Sequence, residues 1–275
     1  MKMMSEVCES KIALIDNAWA NSVDIFTNRQ KVKIVADEII LKRRIYAFDQ
    51  ITLEVWFPDR VSVSHETLLL AILMIAREKG MHLEFDERTT MLQDVEGDAP
   101  LLKFGKVSMT SGRLLEACGL PKSGNAFERL ERHLSDLSKI HLKVKAKDRV
   151  AQSSILGFEW SKNRDQITVH ICWRFAQAIF GKHWSATINM NDRLRLENDV
   201  GRTLHRWIAS HLWSGKSAIY KLETLVLKCW REPTESSSTQ RWRKREVIQA
   251  LKDIGNLDDW DVDFEPGDRV TIRRR

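Results

Sequence analysis

The stretch SSSTQRWRKREVIQALKDIG, Ser236 to Gly255, gathers side chains able to bind an anion: four of the five residues from Arg241 to Arg245 are basic. Arginine forks bind phosphate or the major-groove edge of guanine, and a glutamine such as Gln249 can read adenine in the same way. On a helix of about 100° per residue, Val247, Leu251 and Ile254 cluster on one side with Ile248 at its edge. Arg241, Arg245, Gln249 and Lys252 cluster on the other, and Trp242 lies nearer to them than to the core. Ser238 or Thr239 can cap the start, leaving backbone N–H groups where phosphates would bind. A charge run on a helix is ordinarily a solvated face, and Glu246 with Asp253 partly neutralises this one. For Trp242, packing against a following hairpin is a simpler reading than base contact.

Other chemistries fit less well. SGKSAIY resembles a phosphate loop, but that motif needs a glycine where Ser210 stands, and a helical run precedes it instead of a strand and loop. A nicking enzyme needs a tyrosine nucleophile and paired histidines for a metal. The tyrosines are Tyr46 and Tyr220, and the eight histidines include no H-x-H or H-x-x-x-H pair. His205 and His211 stand poorly for a shared metal, so packing or surface roles are expected. No metal, cofactor or catalytic residue is assigned.

The elements that must position the basic stretch recur. A first unit holds a helix MTSGRLLEACG, a turn LPKSG and a second helix NAFERLERHLSDLSKI, whose Phe127, Leu130, Leu134 and Leu137 form one apolar seam. Asn125, Glu128, Arg129, Arg132 and Lys139 lie opposite. HLKVKAKD then alternates apolar residues with Lys143, Lys145 and Lys147, a strand with a basic outer face. ILGFEWSKNRDQITVHIC reads as a hairpin whose tip carries Lys162 and Arg164. From Lys122 to Arg149 eight Lys/Arg stand against four Asp/Glu, so basic charge is clustered there. The last third repeats the order: a core helix NDVGRTLHRWIASHLW, then AIYKLETLVLKCW, a turn REPTESSS, the basic helix, and a hairpin WDVDF-EPGD-RVTIRRR carrying Arg269 and Arg273. There Trp260, Val262 and Phe264 face Val270 and Ile272 by parity. Cys118 and Cys229 take matching places near the end of the penultimate helix in each copy.

The fold expected is therefore α+β, two tandem winged-helix domains, each a helix-turn-helix followed by a β-hairpin wing. The divisions are an N-terminal segment 1–58, a first domain 59–172 and a second 173–275. In the N-terminal segment ESKIALIDNAWA reads as a short helix and RRIYAFDQITLEVWFPD as strands ended by Pro58 and Asp59. SHETLLLAILMIAREKG is a core helix with Ser64 as N-cap, and LEFDERTTMLQDVEGDAP is a strand and loop.

Composition agrees with a globular DNA-binding chain. Lys plus Arg exceed Asp plus Glu by 44 to 38, a net charge of +6 over 275 residues. The four cysteines are dispersed, and three lie in apolar runs, so buried thiols in a reducing cytoplasm are expected. LLLAILMIA is too short to span a bilayer, and Asp16 and Asn17 interrupt any signal-peptide pattern, so a cytoplasmic protein with no membrane partner is expected.

The blocks FGKHW, GRTLHRWIASH, YKLETLVLKCW and SSSTQRWRKRE, in this order, resemble the TrfA-type plasmid replication initiators, with a weaker match upstream through HETLLLAILMIAREKG and SGNAFERLERHLSDL. The IncQ-type initiators are more distant in pattern. The resemblance implies a tandem winged-helix protein that binds direct repeats (iterons) in double-stranded DNA at a plasmid origin, promotes local opening, and recruits the host replicative helicase with host initiator proteins. It also implies an equilibrium between monomers and dimers. By position it places Ser238, Thr239, Arg241, Arg243, Lys244 and Arg245 on iteron DNA. SVDIF, Ser22 to Phe26, lacks the leading Gln of a sliding-clamp motif and reads as core packing. The competing function is a sequence-specific winged-helix repressor without initiator activity.

Overall fold

The computed structural model describes residues 11–22, 25–26, 41–47, 51–85, 103–146, 149–181, 185–230 and 234–275. Cys8, most of LEFDERTTMLQDVEGDAP, Lys147, the KHW of FGKHW and the start of REPTESSS lie outside them.

The N-terminal segment differs from its sequence reading. Instead of one helix, Ile12–Asp16 forms strand β1 and Asn17–Ser22 helix α1. Ala13 and Ile15 alternate inward along β1. The Asp16 carboxylate accepts from the Trp19 backbone N–H at 2.9 Å, which starts the helix. Two further strands, β2 (Leu41–Ala47) and β3 (Ile51–Pro58), lead to α2 (Val63–Lys79). Helix α2 is capped by Ser62, not Ser64: the Ser62 N–H donates to His65 Nδ1 at 3.1 Å in a capping box. Every residue from His65 to Ala76 is buried, the mark of a helix enclosed on all sides. Ile25 and Phe26 of SVDIF are buried too, as core packing requires.

The first unit runs β4 (His82–Phe85), β5 (Lys103–Thr110), α3 (Ser111–Ala117), α4 (Gly124–Ser138), β6 (His141–Ala146), β7 (Arg149–Ser154), β8 (Leu156–Trp160) and β9 (Gln166–Ile171). Met109 and Thr110 end β5 instead of opening α3, and Thr110 caps that helix by accepting from Arg113 N–H at 3.1 Å. Strand order is β4-β5-β9-β8, all antiparallel. The strand carrying Lys143 and Lys145 does not join this sheet. With β7 it forms a separate sheet, β2-β3-β6-β7, so the basic strand lies beside the N-terminal segment and is not part of the β8–β9 hairpin. Alternation along β6 established a half-buried strand, but alternation carries no information about which partner covers its edge.

The second unit runs α5 (Trp173–Ile179), β10 (Ser185–Asn189), α6 (Met190–Arg195), α7 (Asp199–Ala209), β11 (Ser217–Lys221), α8 (Leu222–Cys229), α9 (Ser237–Gly255), β12 (Trp260–Glu265) and β13 (Arg269–Arg274). Its sheet order β11-β13-β12 repeats β5-β9-β8. Each unit thus contains a strand, two helices and a hairpin whose second strand pairs with the strand before the helices, β9 with β5 and β13 with β11; β6 and β7 are an insertion in the first copy. Cys118 and Cys229 both end the penultimate helix. Val270 and Ile272 are buried with Trp260, whereas Phe264 is 43% exposed, so parity carried it beyond the edge of the core.

The units share one apolar core. Strand β1 pairs with β10. Between them Glu66 of α2, 1% exposed, meets Arg193 Nη2 of α6 and Arg206 Nε of α7, each at 2.7 Å. Arg193 also donates to Thr67 Oγ1 at 3.2 Å and to the Arg202 carbonyl at 3.0 Å, and Arg206 to the Ala20 carbonyl. This buried Arg–Glu–Arg contact fixes one unit against the other.

Candidate nucleic-acid interface

Helix α9 begins one turn before the basic run. Ser236, not Ser238 or Thr239, is its N-cap: Ser236 Oγ accepts from Thr239 N–H at 3.4 Å and lies 2.9 Å from Ser238 Oγ. Ser236 has the extended backbone of an N-cap, whereas Ser238 and Thr239 are already inside the helix. Val247, Ala250, Leu251 and Ile254 are buried, and this seam turns Arg241, Arg245, Gln249 and Lys252 to solvent. Gln249 Nε2 donates to Asp253 Oδ1 at 2.9 Å.

The other members of the run are turned aside. Trp242 stacks edge-on against Trp230, just past the end of α8, with ring centroids 5.5 Å apart. The Arg243 guanidinium lies over the same Trp230 ring, 5.6 Å from its centroid. Lys244 Nζ is 2.6 Å from Asp268 in the β12–β13 turn. Ser238, Thr239, Trp242 and Arg245 line one surface hollow on the N-terminal half of α9.

On α4, Leu130, Leu134 and Leu137 are buried and Phe127 half-buried, leaving Asn125, Arg129 and Arg132 exposed. Lys162 and Arg164 stand exposed at the β8–β9 tip, where Arg164 Nη1 is 3.2 Å from Glu131. The two copies match here: Glu131 is the eighth residue of α4 and Lys244 the eighth of α9. Each pairs with a turn residue held at φ 59°, Arg164 and Asp268. The polarity is reversed, with helix acid to turn base in the first unit and helix base to turn acid in the second. Sequence reading missed both ion pairs, because their partners lie on separate elements. Arg269 is exposed, and Arg273 is 3.9 Å from Asp261. Lys145 pairs with Glu54 of β3, and Lys143 is half-buried beside it. The structure therefore brings Ser238, Thr239, Arg241, Arg245 and Gln249 onto one face of α9, Asn125, Arg129 and Arg132 onto α4, and places Lys143 and Lys145 apart in the accessory sheet.

Other reactive-looking groups have structural roles. Ser62 Oγ, His65 and Asp136 make a hydrogen-bonded chain of 3.0 and 3.3 Å, but each is buried, and Arg60 Nε grips Asp136 at 2.9 Å. The chain caps α2 and ties it to α4. His205 is buried against Trp260, and burial with the charges of Arg193 and Arg274 pushes it down to about 3, so it stays neutral. His211 Nε2 is 2.8 Å from the Tyr220 hydroxyl, and burial pushes that phenol up to about 12. Burial likewise raises the Cys118 and Cys172 thiols to about 12 and 11 and raises Cys229 further. The SGKS segment is a turn tied to the last strand, with Gly215 N–H donating to the Arg274 carbonyl at 2.8 Å. Among the described residues no three His, Cys, Asp or Glu converge as metal ligands, and no helix is long and apolar enough to cross a membrane.

Solved structures that share this fold include two of domains 2 and 3 of RctB. A selenomethionine derivative of domains 2 and 3 of RctB aligns with a TM-score of 0.58 at 10% identity, covering 94% of this chain and 98% of that one. A second RctB domains 2-3 structure gives a TM-score of 0.54 at 10% identity, covering 92% and 96%. At such identity the likeness concerns the fold alone, a mixed α/β chain with small antiparallel sheets. No curated protein matches the sequence. The family model of Replication protein C (RepC) matches residues 88–274, which include α3, α4, α8, α9 and both hairpins. With more than half its length covered, the chain belongs to the RepC family of replication proteins.

Proposed function

We propose that this replication protein is a plasmid replication initiator that acts as a DNA-binding protein without catalysis. The observation that carries the reading is the repeated unit in which a buried seam turns the polar and basic face of the second helix outward, at α4 and again at α9. Each unit is read as a winged helix, α4 and α9 as recognition helices, and β8–β9 and β12–β13 as wings. Behind an N-terminal segment 1–58, the reading units are 59–172 and 173–275.

Two reading units in one chain, joined through Glu66, Arg193 and Arg206, suit a site without two-fold symmetry whose halves lie about 10 bp apart. Directly repeated sites of this kind, the iterons of TrfA-type initiators, are the proposed target. Arg241, Arg245 and Gln249 would reach base edges or phosphates in the second half-site and Asn125, Arg129 and Arg132 in the first. Lys162, Arg164 and Arg269 would lie along the flanking backbone. Binding would promote opening of the adjacent duplex and recruitment of the host replicative helicase in the cytoplasm, with a monomer–dimer equilibrium governing the active form. The test is complementation. An origin fragment cloned without the gene should fail to replicate and be rescued when the gene is supplied in trans. Occupied sites without rescue would assign the protein to repression instead.

A further inference from the structure

Helix α9 carries a single aromatic residue, and its placement is unusual for a core residue. The core side of the helix is complete without Trp242, being made by Val247, Ala250, Leu251 and Ile254. Trp242 instead stands half-exposed on the polar side, one helical turn from Ser238 and Arg245. It is braced from behind: Trp230 meets it edge-on at 5.5 Å, and Arg243 covers Trp230 at 5.6 Å. With Arg243 drawn back onto Trp230 and Lys244 held by Asp268, the cation lining the hollow beside the indole is Arg245. The hollow thus combines an apolar wall, two hydroxyl-bearing side chains at Ser238 and Thr239, and one guanidinium.

Phosphate binding has no use for the indole wall. In the major groove the only apolar feature on a base edge is the thymine 5-methyl group, which lies beside the O4 acceptor. Resting on the DNA-binding reading above, we infer that the hollow formed by Ser238, Thr239, Trp242 and Arg245 receives a thymine methyl group. Trp242 supplies the apolar contact, a hydroxyl of Ser238 or Thr239 donates to O4, and Arg245 reads the neighbouring base pair. Trp242 is then a specificity-determining residue, and not only a brace for α8.

The experiment uses the full chain and a duplex carrying its footprinted site, with each thymine replaced in turn by deoxyuridine, which removes only the methyl group. One thymine in the second half-site should prove sensitive, with affinity falling about fourfold, the equivalent of ~0.8 kcal/mol for one buried methyl. Trp242→Ala should bind the thymine and deoxyuridine duplexes equally, and Trp242→Phe should keep part of the discrimination. Circular dichroism melting of both variants shows whether α9 remains folded, and the wild-type comparison stands independently of either. Site-specific binding by wild type with no sensitive thymine, or full discrimination retained by a folded Trp242→Ala, overturns the inference alone. Tighter binding to the single strand than to the duplex also overturns it, by assigning the indole to base stacking. Absence of binding to any fragment refutes the DNA-binding reading and the inference with it.

Discussion

Asp192 should be a stability liability at neutral pH, and replacing it with Asn should strengthen the fold. The residue lies in the first turn of α6, near Asp258, Asp259, Arg195 and Arg274 of the same unit, with 4% of its surface exposed. Its Oδ2 has no hydrogen-bond partner among the described residues. Burial and then the Asp259 charge raise its pKa from 3.8 to about 6, against the opposing pull of Arg195 and Arg274. A rise of about two units at ~1.36 kcal/mol each corresponds to roughly 3 kcal/mol of unfavourable interaction when the group is ionised. Because the folded-state pKa lies above the unfolded one, the stabilisation of the protonated form is complete below about pH 4 and is lost as pH rises through 6. Asp192→Asn keeps the shape and removes the charge. The amide must place two donors of its own, so a net gain of ~1–3 kcal/mol is expected at pH 7.5. For a chain of this size that is a rise of about 2–4 °C in Tm per kcal/mol. At pH 4 the variant and wild type should be nearly equal. The assay is urea unfolding at pH 4.5, 6 and 7.5. A variant less stable than wild type at pH 7.5, with the deficit growing as pH rises, would refute the reasoning by showing that ionised Asp192 is favourably paired.

Three other variants probe the basic face of α9, the core beneath it and the buried contact at Glu66. Replacing Arg241 and Arg245 together with Ala should weaken site binding and reduce the salt slope by roughly 0.9 for each phosphate left without its cation, measured by titration at several salt concentrations; an unchanged slope and affinity would show that this face is not on DNA. Leu251→Ala should destabilise the fold by on the order of 2–5 kcal/mol by opening a cavity under α9, and its weaker DNA binding in equilibrium assays should track unfolding. Glu66→Ala leaves Arg193 and Arg206 buried without their shared carboxylate and should destabilise by ~3–5 kcal/mol in denaturant unfolding.

What the sequence disclosed was local and periodic. The seam of α9 was legible because Val247, Leu251 and Ile254 recur at helical spacing, and that seam alone decides that Arg241, Arg245 and Gln249 point outward. Both hairpins were legible from their turns. The apolar run at Ile12–Ile15 was ambiguous, since it suits a helix or a strand until β10 supplies a partner. The basic strand β6 is legible as a half-buried strand, but its neighbour β3 is beyond local pattern, so the position of Lys143 and Lys145 in the accessory sheet is not. Local pattern gives Glu66 only a place in the first turn of α2; its buried role depends on arginines more than a hundred residues away. The pairs Glu131–Arg164 and Lys244–Asp268 were hidden for the same reason.

The central claim is that two reading units in one chain occupy a directly repeated, asymmetric DNA site. Hydroxyl-radical footprinting of the purified full chain on the DNA flanking its gene tests this most directly. The account predicts protection on head-to-tail repeats, each with two protected segments about 10 bp apart. A single palindromic footprint, or uniform protection without sequence preference, would contradict it.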